Sequence, residues 1–176
     1  MAKRKVHTNI APCKLGTPAP LFRYHGTRRA CLIGNENPGP GRYLQTCLNT
    51  ECNVCQILRN SFQLGFSSPN AMFGRGIYSS TCFSMVFNIT ADVYAKNRHV
   101  RSEIHAMLVC AVVLGKPAEV YQADHNFDQT YGSRFDSAAT IAENSSVLHP
   151  ETIVYSEDAI IPMGLITYTR TGWVPR

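Results

Sequence analysis

Charge is scarce in this sequence. Asp, Glu, Lys and Arg supply 16 % of its 176 residues, against roughly 25 % in an average soluble domain, while 44 % are hydrophobic. That balance gives ample material for a core and excludes intrinsic disorder as a description of the whole. Long apolar runs are missing as well. The best of them, residues 107–114, is closed by Gly115, Lys116 and Pro117, far short of the ~18 residues that span a bilayer. The basic start, Met1 to His7, leads into no apolar stretch of signal-peptide length. Secretion by that route is therefore not expected, and a reducing compartment, cytoplasm or nucleus, is. No Gly-x-Gly-x-x-Gly follows a strand-like run, which argues against a Rossmann-type dinucleotide site. Internal repeats and low-complexity tracts are lacking too, so a solenoid or an array is not expected.

What is present reads as one domain by length. Residues 1–20 mix basic side chains with Pro12, Pro18 and Pro20 and show no apolar period, so they are expected to form a poorly ordered lead-in to a domain over 21–176. Residues 21–25, aromatic and ended by Gly26, read as a strand running into a tight turn. A long irregular stretch then follows to residue 51, rich in Gly, Asn and Pro, and needs something other than regular structure to hold it. Over 53–62, Val54, Ile57, Leu58 and Phe62 mark one helix face, with Asn53 or Thr50 placed to cap it. A short helix is expected over 91–96, a central strand over 104–114 and further strands over 152–155 and 165–168. The class that fits is α+β, with mostly antiparallel sheets and one or two helices.

Three separated pieces carry the chemistry: Tyr24-His25-Gly26-Thr27, Phe73-Gly74-Arg75-Gly76-Ile77-Tyr78 and Pro150-Glu151-Thr152-Ile153-Val154-Tyr155. Each alone is more often a structural turn or a bend between strands than a site. In this order, together with Val112-Val113-Leu114-Gly115-Lys116 and the hairpin-like end over 155–168, they resemble the catalytic domain of the poly(ADP-ribose) polymerase family. The resemblance covers roughly residues 21–168. It implies the ADP-ribosyltransferase fold, a split antiparallel β-sandwich with few helices, NAD as substrate, and a His-Tyr-Glu triad made of His25, Tyr78 and Glu151. Residues 64–72 fall where the family has its donor loop.

The residues suit that chemistry. Cleaving the nicotinamide–ribose bond develops positive charge on the sugar, which a carboxylate such as Glu151 stabilises while fixing a hydroxyl. Tyr78 and Tyr94 can hold the flat nicotinamide between aromatic faces, the Gly26 peptide can meet its amide, and His25 and Thr27 can hydrogen-bond ribose hydroxyls. Arg28 and Arg29 follow directly and can meet the pyrophosphate. The stretch before Tyr94 departs from the family pattern: Ala91 stands where relatives carry the serine that holds the amide, with Thr90 the nearest substitute, and the neighbouring lysine is missing. Mono-transfer, rather than chain building, is the expectation. The acceptor is expected to be a protein, with nucleic acid the other option; NAD glycohydrolysis and an inactive zinc-containing binding module are the alternatives. A monomer is expected.

Seven cysteines, an odd number in an expected reducing setting, do not suggest a disulfide framework. Cys31, Cys47, Cys52 and Cys55 follow C-x15-C-x4-C-x2-C, in an insertion over 28–55. A close pair plus two more thiols suits a closed structural zinc site, which would staple the irregular stretch; free thiols or a redox pair are the other readings. Such a loop, with Lys3, Arg4, Lys5, Arg23, Arg28 and Arg29, would also suit nucleic acid, but the net charge of +5 is modest.

Overall fold

The computed structural model describes residues 19–36, 44–81, 94–141 and 150–169. Residues 1–18 of the lead-in, together with Thr90, Ala91 and the rest of the unusual stretch 82–93, lie outside them. Strands β1 (Leu21–Gly26), β2 (Ile77–Ser80), β3 (Ile104–Val112), β4 (Pro117–Val120), β5 (Ser137–Thr140), β6 (Glu151–Val154) and β7 (Ile160–Thr169) are joined by helices α1 (Asn53–Asn60) and α2 (Phe127–Tyr131). They form one seven-stranded sheet in the order β4-β5-β6-β2-β1-β3-β7.

This α+β arrangement amends the expected antiparallel sandwich in two respects. Strands β4 and β5 pair in parallel, and the strands are connected in a single sheet rather than in two. A split survives as a seam. Strand β1 pairs with β3 along its whole length, from Leu21↔Val112 to Gly26↔Met107, but meets β2 at Tyr24↔Ser80 alone. Among the described residues the ladder stops at that pair on the His25 side, and ligand-sized space appears there.

Both faces of the sheet are covered, which explains the nearly continuous apolar run of β3. Adjacent Ile153 and Val154 on β6 enter different clusters, as a two-residue period requires. Val154 joins Val54, Phe62, Leu108 and Val112 under α1, while Ile153 joins Phe73, Phe127 and Ala138 beside α2. Met107 packs on the face opposite its neighbour Leu108, with Tyr24 and Tyr168. Full burial of a side chain such as Val54 (0 % exposed) contributes about 1.5–3 kcal/mol.

Helix α1 starts where the periodicity puts it, but neither Thr50 nor Asn53 caps it. Cys52 holds the N-cap position without a side-chain cap bond, and one first-turn donor that the helix itself leaves unmet, Val54 N–H, is met by the Arg28 carbonyl at 3.1 Å. The helix stops two residues earlier than expected because Ser61 turns to φ 61°. Of the helix expected over 91–96, Tyr94 is helical whereas Ala95 and Lys96 are not. The backbone there is claimed by Arg29, whose N–H donates to Lys96 O at 2.8 Å and whose carbonyl accepts from Arg98 N–H at 2.7 Å. Strands β4 and β5 and helix α2 were not apparent in the sequence, since Pro-Ala-Glu-Val and Ser-Ala-Ala-Thr carry little β-propensity.

Candidate functional site

Where β1 and β2 part, a cavity of about 1080 Å³ opens, and His25, Gly26, Thr27, Tyr78, Tyr94 and Glu151 all line it. Residues separated by 126 positions along the chain, 151 − 25, thus share one space.

His25 stands immediately beyond the seam. Its Nδ1 is 2.7 Å from the carbonyl oxygen of Tyr78; since a carbonyl only accepts, Nδ1 carries the proton. Burial lowers the imidazole's pKa from its ordinary value, against a smaller opposing effect of this bond, so the neutral ring presents Nε2 as an acceptor. The ring packs edge-on against Phe62, with centroids 4.9 Å apart. Phe62 was read from the sequence only as part of a helix face; beyond the turn at Ser61 it supports the imidazole instead.

Tyr78 offers its ring rather than its hydroxyl. The hydroxyl accepts from Phe73 N–H at 2.8 Å and donates to Gly74 O at 3.0 Å, and Tyr155 donates to Phe73 O at 2.9 Å. Two tyrosines thereby fix the loop that precedes β2. Its glycines are required: Gly74 has φ +74° and a Cβ there would lie 2.1 Å from Asp128 Oδ1, while a Cβ on Gly76 would lie 2.3 Å from Ile153 Cγ2. Burial raises the Tyr78 phenol's pKa, with the Glu151 charge adding to it.

Glu151 opens β6 opposite Ser80, the β2 residue that pairs with Tyr24 at the seam. Its backbone N–H donates to Thr140 Oγ1. The carboxyl is half-buried and desolvation raises its pKa; no side chain among the described residues is hydrogen-bonded to it. Tyr94, 58 % exposed, forms a more open part of the wall, and its phenol is raised by burial and by Glu151. Thr27 is buried, with its hydroxyl accepting from Asn53 Nδ2 at 3.2 Å; Asn53 thus serves this hydroxyl and not a helix cap. At the rim Arg98 pairs with Glu51 at 3.1 Å, an exposed pair worth little in itself.

The two arginines after Thr27 separate. Arg28 is exposed and lines the cavity, but Arg29 is 1 % exposed and does not line it. Its guanidinium is engaged by Asn97 Oδ1, Ile33 O and Asn35 Oδ1 at 2.9, 2.8 and 2.7 Å. The expectation that Arg29 meets a pyrophosphate or an external acidic partner is corrected accordingly.

Cys31, Cys47, Cys52 and Cys55 bring their sulfurs within 4.8 Å of one another. Cys31 lies 3.6 Å from both Cys52 and Cys55, too far for disulfides and near the ~3.8 Å edge of a tetrahedron built on bonds of about 2.3 Å. Backbone N–H groups aim at the sulfurs: Ala30 at Cys52, Ile33 at Cys31 and Cys47 at Cys55, at 3.3, 3.5 and 3.4 Å. Burial pushes the Cys31 thiol up to about 11 and raises Cys55 further. For Cys52 burial acts the same way, but the N–H and thiol donors around it outweigh that and lower its pKa. Four sulfurs so placed, with donors to hold their charge, fit a metal ion.

No helix among the described residues is long and apolar enough to cross a membrane. No curated protein matches the chain. The family model described as the poly(ADP-ribose) polymerase catalytic domain matches residues 49–171, well over half of the sequence, and its span contains Tyr78, Tyr94 and Glu151. The chain belongs to the poly(ADP-ribose) polymerase catalytic-domain family of NAD-using transferases.

Proposed function

We propose that the chain cleaves the nicotinamide–ribose bond of NAD and passes a single ADP-ribosyl group to a protein side chain. The observation that carries this reading is the meeting of His25, Tyr78, Tyr94 and Glu151 on one cavity of about 1080 Å³, slightly above the ~300–1,000 Å³ range of small-molecule sites. The Tyr78 ring, with Tyr94 on the open side, bounds the nicotinamide, and the Gly26 peptide meets its amide. His25 Nε2 accepts from one ribose hydroxyl, Thr27 bonds another, and Thr90 is assigned to the amide in place of the family's serine. Arg28 serves the pyrophosphate. Glu151 acts last: its carboxylate stabilises the positive charge that grows on the sugar as nicotinamide departs, and orients the acceptor. The missing lysine favours one transfer over chain growth, and the modest charge of +5 favours protein over nucleic acid as acceptor.

Within this reading the four cysteines hold one zinc ion. Zinc suits an all-thiolate closed set, and it ties the insertion to the end of β1 and the start of α1. The site is structural, since no fifth position or substrate path is required of it.

The test is mass spectrometry after incubation with NAD and candidate acceptors. Protein carrying single ADP-ribosyl groups supports the proposal. Free ADP-ribose alone replaces it with hydrolysis, and unchanged NAD replaces it with a binding module.

A further inference from the structure

The first turn of α1 faces two sites at once. Cys52 and Cys55, both 0 % exposed, give two sulfurs to the four-cysteine cluster, while Asn53, Gln56, Ile57 and Asn60 line the cavity. The spacing explains the division. Positions three and four apart share a helix face, so 52 and 55 fall on one side and 53, 56, 57 and 60 on the next. Gln56 N–H donates to Cys52 O at 3.0 Å, which makes Cys52 part of the same turn, and a hydrogen-bonded turn carries both of its sides together.

The end of β1 is divided in the same way. Thr27 and Arg28 line the cavity, and Cys31 places its sulfur 3.6 Å from those of Cys52 and Cys55. Three hydrogen bonds run in succession between the two segments. Asn53 Nδ2 donates to Thr27 Oγ1 at 3.2 Å, Val54 N–H to Arg28 O at 3.1 Å and Ala30 N–H to Cys52 Sγ at 3.3 Å. The first of these touches the cavity and the last touches the cluster. Asn53 occupies a lone pair of the Thr27 hydroxyl and leaves its proton to donate, which suits a ligand oxygen.

Cys31 and Cys52 are 21 positions apart along the chain, and the described residues between them form no helix or strand. Ordering such a stretch is entropically unfavourable, and three hydrogen bonds between neutral groups offset little of it. A metal bound by four thiolates is a far stronger clamp, and it would act on these same two segments.

We propose that the four-cysteine centre and the NAD cavity are one linked unit: metal held by Cys31, Cys47, Cys52 and Cys55 fixes α1 against residues 27–31 and so preforms the Thr27 edge of the cavity, with Asn53 the positioning residue that carries the coupling. Metal and dinucleotide then raise each other's affinity, by the same factor in both directions. This deepens the reading above and rests on both its NAD and its zinc assignments.

The full chain, zinc-loaded and zinc-free, is titrated by calorimetry with a non-cleavable carbocyclic NAD analogue. Its zinc affinity is read by competition with a chromophoric chelator, with and without saturating analogue. Both affinities are expected to rise by one common factor of about fivefold to 150-fold, the usual range of coupling between sites. In Asn53→Ala the factor should fall below about twofold, while zinc alone binds within about threefold of the parent, since Asn53 supplies no ligand atom. A purely local loss would weaken the analogue alike in both metal states and leave the factor unchanged, which overturns the role of Asn53. Equal analogue affinity of the zinc-loaded and zinc-free parent overturns the linkage itself. If the zinc-free chain does not fold, release of zinc from the loaded protein to excess chelator decides, with the analogue at equal multiples of its dissociation constant for each variant. The analogue should then slow release from the parent at least about fivefold and from Asn53→Ala less than about twofold; equal slowing assigns the effect to global unfolding and overturns the proposal. Failure of the underlying readings looks different. A parent that binds no analogue, or neither zinc nor cobalt(II), overturns the proposal through the NAD or the zinc assignment, each seen in its own titration.

Discussion

His25 Nδ1 and the Tyr78 carbonyl oxygen stand 2.7 Å apart, so a side chain bridges β1 and β2 just where their backbone ladder ends. The bridge has two effects. It fixes the spacing of the strands that carry the imidazole and the Tyr78 ring, and it commits the neutral ring to Nε2 as acceptor. His25→Ala removes both the bridge and the acceptor. Two hydrogen bonds at about 1 kcal/mol each imply a loss of NAD-analogue affinity of at least about tenfold, measured by calorimetry. Undiminished affinity would mean that the imidazole does not face the ligand.

Glu151 gives a prediction with a pH signature. Its carboxyl pKa is raised above 4.5 by desolvation, so the folded state favours the protonated form. The stability this confers is fully present below the unfolded value and is lost as pH rises through the folded one. Glu151→Gln, neutral at every pH, should therefore melt above the parent at pH 7, with the gap closing once the parent is taken below about pH 4.5. Activity moves oppositely. Loss of the carboxylate should lower nicotinamide release by about 10²–10³-fold, and the parent's acid limb should lie above the ordinary glutamate range. A variant that turns over NAD normally would remove Glu151 from the chemistry.

The four-cysteine cluster, read as a zinc site, predicts a linked loss. Purified protein should hold about one zinc per chain, and Cys52→Ser should reduce both zinc content and melting temperature, because binding free energy on the order of 10 kcal/mol is also folding free energy. Elemental analysis and thermal melts on the same samples check this. A metal-free preparation as stable as a zinc-loaded one would leave the cysteines as packed thiols.

How far the sequence reveals this arrangement depends on the range of each interaction. His25, Tyr78 and Glu151 are legible through the ordered resemblance of their three motifs to one family, not through any one of them, whereas α1 shows itself by its apolar spacing, a property of a few neighbouring residues. Strands β4 and β5 pair with each other, and their short, weakly apolar sequences acquire strand structure only in that context. Arg29 is the clearest case. An arginine beside Arg28 reads as solvent-facing, since arginine is seldom fully buried. What holds it there is a set of acceptors from residues 33, 35, 97 and 104, two of which lie 68 and 75 positions away along the chain. Phe62 is intermediate: its burial follows from helical spacing, but its contact with His25 depends on the reversal at Ser61, where nothing local demands a positive φ.

The loop ahead of Tyr78 allows a prediction with an internal control. Gly74, at φ +74°, would place a Cβ 2.1 Å from Asp128 Oδ1, whereas Gly65 has nothing within 4 Å of its own. Gly74→Ala therefore meets both backbone strain and a clash, of order 1–3 kcal/mol, which in a domain of this size lowers the melting temperature by about 2–4 °C per kcal/mol. Relief requires the Gly74 carbonyl to move, and that carbonyl accepts from the Tyr78 hydroxyl at 3.0 Å. The ring should shift with it, so the variant should also bind the NAD analogue more weakly. Gly65→Ala should change neither quantity by more than the ~0.5 kcal/mol of an ordinary surface substitution. Equal melting temperatures for the two variants would show that the positive φ and the approach of Asp128 do not hold the loop.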